Sequence, residues 1–478
     1  MEKFDVVIVG AGSGGIGAAI AAGRLGLKVL LVEKQHFVGG NATQSGVSVW
    51  EMGVGGTGIP FEIYKKLKEI PHAVGIYSFK KHRKWQLKTG ETPLHPGAEI
   101  IIDKSVKYID TLRRHGSELG IQNEVFVRKN WHGVPFEPSI FQDVVENMML
   151  ETGNITLIKN TAVIEVIKQN DEIQALKLSN NRTISADYYI DCTDNGYICQ
   201  AAGCEVMYGQ ESKEQFDEPN APDVVSSKLN GVSLIYSISP LKSEGVVKPP
   251  ICWWADEYPP TSIVEYPNGD LNINMLPTME GIEFSIYTNY THAYEECRRR
   301  VLAHFQHLRY VYPPYKDYQI VWIAPALGIR EGKRIVGEYI LKEQDIRSGL
   351  SKQEQHDIVT IADHALDTHG KSTGRAGCAE LDEPYGVPYR CLIPKGFSNL
   401  LIASRAASFS SMAASSCRLS RTMMQLGQAA GTAVYLAKKS NVPVKNINYQ
   451  SLRQLLLEQN VQLEYPISPK LKKYLDDE

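Results

Sequence analysis

The chain begins with a pattern that few folds can use. Phe4-Asp5-Val6-Val7-Ile8-Val9-Gly10 is a short apolar run that reads as a buried parallel strand. Gly10-Ala11-Gly12-Ser13-Gly14-Gly15 comes at once after it, and the alanine-rich stretch from Ile16 to Leu25 favours a helix. Lys28-Val29-Leu30-Leu31-Val32-Glu33 is a second strand that ends in an acid, 23 positions after Gly10. A GxGxxG alone says little, but strand, turn, helix, strand and acid in register predict a Rossmann-type dinucleotide site. Gly10 allows the tight turn, Gly12 lets the backbone approach a pyrophosphate, and Gly15 lets helix and strand pack closely. The N–H groups of Ser13 and Gly14 at the positive helix end hold the diphosphate. Glu33 would accept hydrogen bonds from the adenosine ribose.

The segment after Glu33 separates flavin from nicotinamide dinucleotides. Lys34 leads into Gly39-Gly40-Asn41-Ala42-Thr43-Gln44-Ser45-Gly46, a glycine-rich loop that nicotinamide domains do not need. FAD proteins of the glutathione-reductase type use such a loop to pass the pyrophosphate and ribityl chain, which nominates Lys34, Gly40, Asn41, Ala42 and Gly46. Gly53-Val54-Gly55-Gly56-Thr57-Gly58 also spells GxGxxG. It lacks a preceding strand and a later acid, so it reads as a mobile or substrate-side loop and not as a second dinucleotide site.

Later segments add to the pattern. Ile155 to Val166 contains an apolar strand around Ala162-Val163-Ile164; in the same superfamily the backbone of such a segment touches adenine, which nominates Val163. Ala186 to Gly196 resembles a second short signature, with Cys192 and Thr193 at the strand's end. Asn399 to Ala406 reads as a buried strand ending at Ser404 and Arg405, and a helix is expected to begin near Ser420 to Thr422. Thr422 and Met423 would put its positive end at the flavin's N1–C2=O edge, where reduced flavin carries negative charge.

Taken together, these segments resemble the FAD-dependent oxidoreductase family related to the flavoproteins of fumarate reductase and succinate dehydrogenase. Gly328 to Tyr339, Val387 to Pro394 and Asn399 to Ala433 look alike in detail, and the likeness spans nearly the whole chain. The resemblance implies an α/β fold: a Rossmann-type FAD-binding domain, discontinuous in sequence, with an inserted α+β substrate domain. The expected division is 1–206 and 385–440 for the FAD domain, 207–384 for the insert, and 441–478 for a helical, charged, peripheral tail. Members that attach FAD covalently use a histidine near the glycine loop. Here that loop carries Asn41, Thr43 and Gln44, so non-covalent FAD is expected.

Composition excludes several alternatives. A net charge of −3 gives no general reason to expect nucleic-acid binding. The basic run Lys80-Lys81-His82-Arg83-Lys84-Trp85 reads as a solvated face. Eight cysteines show no CxxC and no Cys/His spacing, so neither a metal site nor a disulfide framework is expected, and a cytoplasmic location fits. The apolar N-terminus is too interrupted by Asp5 and glycines to read as a signal peptide, and no run is long enough to span a membrane.

On the substrate side, Ser233–Ser239 and Leu271–Leu276 alternate as strands, whereas Ser351 to His364 reads as a helix capped by Ser351. Pro249 to Trp254 and Tyr310 to Tyr315 are rich in aromatics and proline. The resemblance puts Arg330 near the substrate cavity, where it would clamp a carboxylate or polarise a carbonyl. His369, just before a glycine and near Asp367, is a candidate acid or base. Arg390 is the third candidate for the catalytic set, and Cys391 reads as a small buried residue. Trp131-His132-Gly133 is a loop without an assigned role.

The expected activity is hydride transfer between a small organic substrate and flavin N5, with an external electron acceptor or donor and with self-association allowed. A flavoprotein electron-transfer subunit and a non-catalytic flavin-binding protein stand as alternatives.

Overall fold

The computed structural model describes residues 2–86, 95–241, 258–280, 289–369 and 378–478. The proline- and tryptophan-rich stretch 249–254 lies outside the described residues, as does Gly370 after His369.

The first strand, β1 (Glu2–Val9), runs beside β2 (Val29–Val32), with helix α1 (Ser13–Arg24) as the crossover between them. The strand Ile155–Ile158 extends this parallel set beyond β2, and Thr183–Asp191 adds to β1 on the other side. Leu400–Ile402 pairs in parallel with Thr183–Asp191. Two antiparallel strands, Val163–Gln169 and Glu172–Leu178, complete a seven-stranded sheet. Valine, isoleucine and leucine fill the central strands because both faces are covered; Val6, Val7, Ile8, Leu30 and Leu31 are wholly buried.

A second sheet of eight strands, ordered by pairing, runs Tyr318–Ile323, Tyr236–Pro240, Leu271–Met275, Thr261–Glu265, Gly97–Ile102, Tyr77–His82, His132–Pro135, Val49–Trp50. The expected strands near 233–239 and 271–276 are here, but four of the eight strands come from residues 49–135. The stretch just after the FAD signature therefore builds half of the second sheet before the chain returns to the first. The 22-residue helix Tyr290–Val311 packs on this sheet through Ala293, Cys297, Val301, Phe305 and Leu308. That near-regular spacing of three and four is the apolar stripe of an amphipathic helix.

The expected helix over 351–364 does not form. Ile358–Ala362 is a buried strand paired antiparallel with Tyr385–Pro388. Ile358-Val359-Thr360-Ile361 is a β-branched run that suits a buried strand better than a helix. Ser351 caps nothing, and its Oγ donates to Glu383 at 2.6 Å. The tail forms the helices Tyr449–Glu458 and Pro469–Leu475. It is tied inward by the Gln462 N–H donating to Thr57 Oγ1 at 2.8 Å.

Candidate active site

Three parallel strands end together, and that edge carries the first half of the site. The register aligns Val9 with Asp191, and Asp191 with Ile402. Gly10 leaves β1 with φ +96°, and a Cβ there would stand 2.7 Å from Cys192 O. A Cβ on Gly14 would stand 1.8 Å from Ala403 O, and one on Gly427 would stand 1.9 Å from Gly14 O. Only glycine allows α1 and the late helix Ser420–Ser440 to touch backbone to backbone. The structure thus gathers Gly10 to Gly15, Cys192, Ser404 and the late helix around one turn.

Glu33 is tied to that turn. Its carboxylate accepts the Ala11 N–H at 2.7 Å and the Gln35 N–H at 2.8 Å, while burial pushes its pKa above the ordinary value. The Thr161 N–H donates to Glu33 O at 3.0 Å, which brings the Val163 segment beside the acid. Lys34 is exposed. Asp191 is a residue that no sequence signature singled out. Fully buried, it accepts the N–H and Oγ1–H of Thr193 and the N–H of Cys199, and its pKa is raised by burial.

The turn fits a dinucleotide diphosphate. Helix α1 starts at Gly12 with no side-chain cap and no acid in its first turn, so its leading N–H groups need acceptors from elsewhere. A Cβ on Gly12 would meet nothing within 4 Å, so the space in front of it is open, and one on Gly40 would lie 3.1 Å from Gly12 Cα. The two glycine loops run side by side.

The second half is a cavity of about 650 Å³ along the second sheet. Asn41, Gly46, Arg405 and Thr422 line it from the dinucleotide side, with Met423 buried behind them. Asn41 Nδ2 and Arg405 Nη1 both donate to Ile329 O, which fixes the residue before Arg330. Trp50, Tyr77, Phe79, Ile100 and Val264 line it from the second sheet, with Trp131 just before one of its strands.

Two of the three expected catalytic residues line this cavity. Arg330 donates from Nη1 to Gly231 O at 2.8 Å and from Nη2 to Ser233 Oγ at 3.0 Å. Burial and the nearby Arg418 lower its pKa to about 10. His369 Nε2 lies 2.6 Å from Asp367 Oδ2, and Arg418 Nη2 holds the same oxygen at 3.1 Å. Burial, reinforced by the charge of Arg330, lowers the His369 pKa to about 4, whereas the cations around Asp367 keep it ionised. Arg390 is not among the lining residues. Its guanidinium is bound by Asp357 at 3.0 Å through both Nε and Nη2. Cys391 is fully buried, and burial pushes its thiol pKa up.

The structure adds residues that no motif announced. Glu51 pairs with Arg114 at 3.0 Å and with His364 Nε2 at 3.4 Å. Although 45% of its side chain is accessible, it lines the cavity and opens inward. Side-chain hydrogen bonding to His364 and the charges of His364, Arg114 and Arg418 outweigh desolvation and hold its pKa well below the carboxylate range. Arg114 also pairs with Glu380 at 2.9 Å and stacks over the Trp131 ring at 5.0 Å, which gives the unassigned Trp131 loop a place.

The loop Gly53–Gly58 borders the cavity through Gly53 and Val54 but is buried, so the mobile reading is corrected. Asp363 and Arg421 bind its backbone. The basic run is also only partly a solvated face. Lys80 pairs with Glu99 at 2.8 Å, but His82 and Lys84 line the cavity.

This glycine turn, with a cavity at the head of the late helix, fits the class of FAD-dependent oxidoreductases. A family model described as FAD dependent oxidoreductase matches residues 5–456, and the chain belongs to that family. The family's description names FAD as the cofactor and oxidoreduction as the chemistry.

Curated relatives match it only in part. Dihydrolipoyl dehydrogenase 3 of Pseudomonas aeruginosa is 52% identical over 46 residues, 10% of each chain. The 3-oxosteroid 1-dehydrogenase of Mycobacterium tuberculosis is 44% identical over 50 residues, 10% of this chain and 9% of the relative. Fumarate reductase (cytochrome) of Shewanella frigidimarina is 27% identical over 176 residues, 35% of this chain and 28% of the relative. The chain thus spans about a tenth to a quarter of the length of these relatives. Among solved structures, a geranylgeranyl bacteriochlorophyll reductase-like protein from Thermoplasma acidophilum matches with a TM-score of 0.48 and 14% identity, over 100% of this chain and 96% of that one. Among the described residues no helix is long and apolar enough to cross a membrane.

Proposed function

We propose that this enzyme transfers a hydride between a small organic substrate in the cavity and flavin N5. One observation carries the reading. Arg330 and the Asp367–His369 pair come from segments far from the glycine turn in sequence, yet they share one cavity with Asn41, Arg405 and Thr422.

Gly10 to Gly15 and the start of α1 would hold the diphosphate of FAD non-covalently, Glu33 the ribose, and the Val163 and Cys192–Thr193 backbone the adenosine side. Gly40 to Ala42, Gly46, Ser404, Arg405, Thr422 and Met423 would frame the ring. Bound FAD supplies the two-electron chemistry.

The remaining work falls to this chain's side chains. Arg330 orients the substrate's polar group. His369, held by Asp367 and neutral above about pH 4, takes or returns the substrate proton. Dry walls of tryptophan, tyrosine and phenylalanine exclude water from the transfer. A second reading gives the proton to Glu51, because its carboxylate opens into the same cavity. The second redox partner is an external donor or acceptor.

The test is anaerobic. Candidate substrates are added to the FAD-loaded protein, and bleaching of the visible flavin band identifies the donor. With that substrate, His369→Asn slows bleaching by about 10²–10⁴-fold while FAD content stays unchanged. An unchanged rate in that variant, with a slowed rate in Glu51→Gln, transfers the role to Glu51. Unchanged rates in both overturn the assignment.

A further inference from the structure

Charge in the cavity is unlike charge in the rest of the chain. The net charge of the whole sequence is −3. Among the described lining residues, however, the six cations Lys84, Arg114, Arg330, Arg405, Arg418 and Arg421 outnumber four carboxylates.

The lining arginines differ in what they bind. Arg114 is matched by Glu380 and Glu51, and Arg418 by Asp367. Arg421 is buried and spends its donors on Glu51 O, Gly53 O and the oxygens of Thr111. Arg330 faces no carboxylate within ion-pair distance among the described residues, and its guanidinium donates to a carbonyl and a hydroxyl. Of five guanidinium N–H donors, two are used there. The remaining donors on a planar fork match the two oxygens of a carboxylate.

Elsewhere the lining gathers apolar and aromatic side chains among polar ones such as Asn272 and Asn274. Trp50, Tyr77, Phe79, Ile100, Trp131 and Val264 come from the second sheet and the segments beside it. A short dicarboxylate would leave that wall wet and would bring a second charge against it. An apolar body laid along it gains roughly 25 cal/mol for each Å² removed from water. Lys84, at the same cavity's lining, adds a field that draws anions inward.

Resting on the hydride-transfer reading, we propose that the substrate is an amphipathic monocarboxylate, its carboxylate seated on Arg330 and its apolar, ring-bearing body lying along the second sheet.

The test measures binding and so does not depend on turnover. FAD-loaded full-length protein is titrated with 4-phenylbutanoate, 4-phenylbutan-1-ol and succinate, tracking perturbation of the flavin's visible band and, in parallel, heat of binding. Wild-type protein binds 4-phenylbutanoate at least about tenfold more tightly than either of the others. Arg330→Gln weakens that binding about ten- to hundredfold, leaves the alcohol within about threefold, and Arg330→Lys recovers part of the loss.

Equal or tighter binding of the alcohol or of succinate overturns the proposal, and this comparison needs no variant to fold. A neutral substrate that bleaches wild-type and Arg330→Gln flavin equally also overturns it, while leaving hydride transfer intact. Arg330-dependent binding of 4-phenylbutanoate supports it even where no candidate bleaches the flavin, an outcome that would count against hydride transfer alone.

Discussion

The dinucleotide side of the molecule and the cavity wall on the second sheet are built by different means. The first is mostly backbone: strand ends in register, glycines without a Cβ, and helix ends with uncapped N–H groups. The second is mostly side chain: arginines, carboxylates and aromatics drawn from residues 49–135, from 233–276 and from 328–422. Backbone construction tolerates almost no substitution at its contact points, because a carbonyl oxygen has nowhere to go. Side-chain construction tolerates exchange as long as charges stay matched. On the proposed function, binding of a common cofactor would fall to the first and choice of substrate to the second.

Substitutions on each wall put this difference at risk. The largest effect is expected from Gly427→Val. Its added atoms would collide with the Gly14 carbonyl, costing about 3 kcal/mol or more and emptying the flavin site. Thermal unfolding and the flavin-to-protein ratio measure both losses, and a yellow protein of unchanged Tm would refute the backbone account.

Next comes Glu380→Ala on the other wall. It leaves the buried Arg114 with Glu51 as its remaining carboxylate and should cost about 3 kcal/mol in chemical denaturation. FAD content in the folded protein should stay at the wild-type ratio; parallel loss of FAD would erase the distinction between the walls.

A third test lies between them, at Glu218. Burial, partly offset by donation from Ser410 Oγ and the Glu343 N–H, raises its pKa to about 7. A carboxyl raised in the folded state contributes stability fully below its ordinary value near 4.5 and loses it as pH rises through about 7. Stability measured from pH 4.5 to 8 should therefore decline, and Glu218→Gln should flatten that decline. An equal slope in both proteins would assign it to other groups.

The smallest effect on the reaction is expected at Arg390. It is bound to Asp357 with about a third of its side chain exposed and lies outside the cavity lining. Arg390→Gln should leave the bleaching rate at the wild-type value, whatever stability it costs by taking the guanidinium from the buried Asp357. A large fall in that rate would return Arg390 to the reacting set.

The dinucleotide half was legible because its physics is local. The run from Phe4 to Glu33 states strand, turn, helix, strand and acid within one crossover, and the late helix begins at Ser420 as its small residues imply. Arg330 and His369 were legible as candidates and do line one cavity, whereas Arg390 does not. Glu51, Arg114 and Trp131 carried no readable spacing. They meet only because strands from residues 49–135 enter the second sheet. The segment 351–364 misled in a similar way, since its β-branched stretch answers to a partner strand at 385–388 that local periodicity does not reveal.

The cofactor and the fold that binds it were thus written in the order of residues, because a glycine turn and its helix meet a diphosphate through groups adjacent along the chain. The charge and shape of the substrate wall were not, and arose in three dimensions. Pairing of distant strands, with loops closed over hundreds of residues, set what each lining arginine binds: carboxylates for Arg114 and Arg418, a carbonyl and a hydroxyl for Arg330.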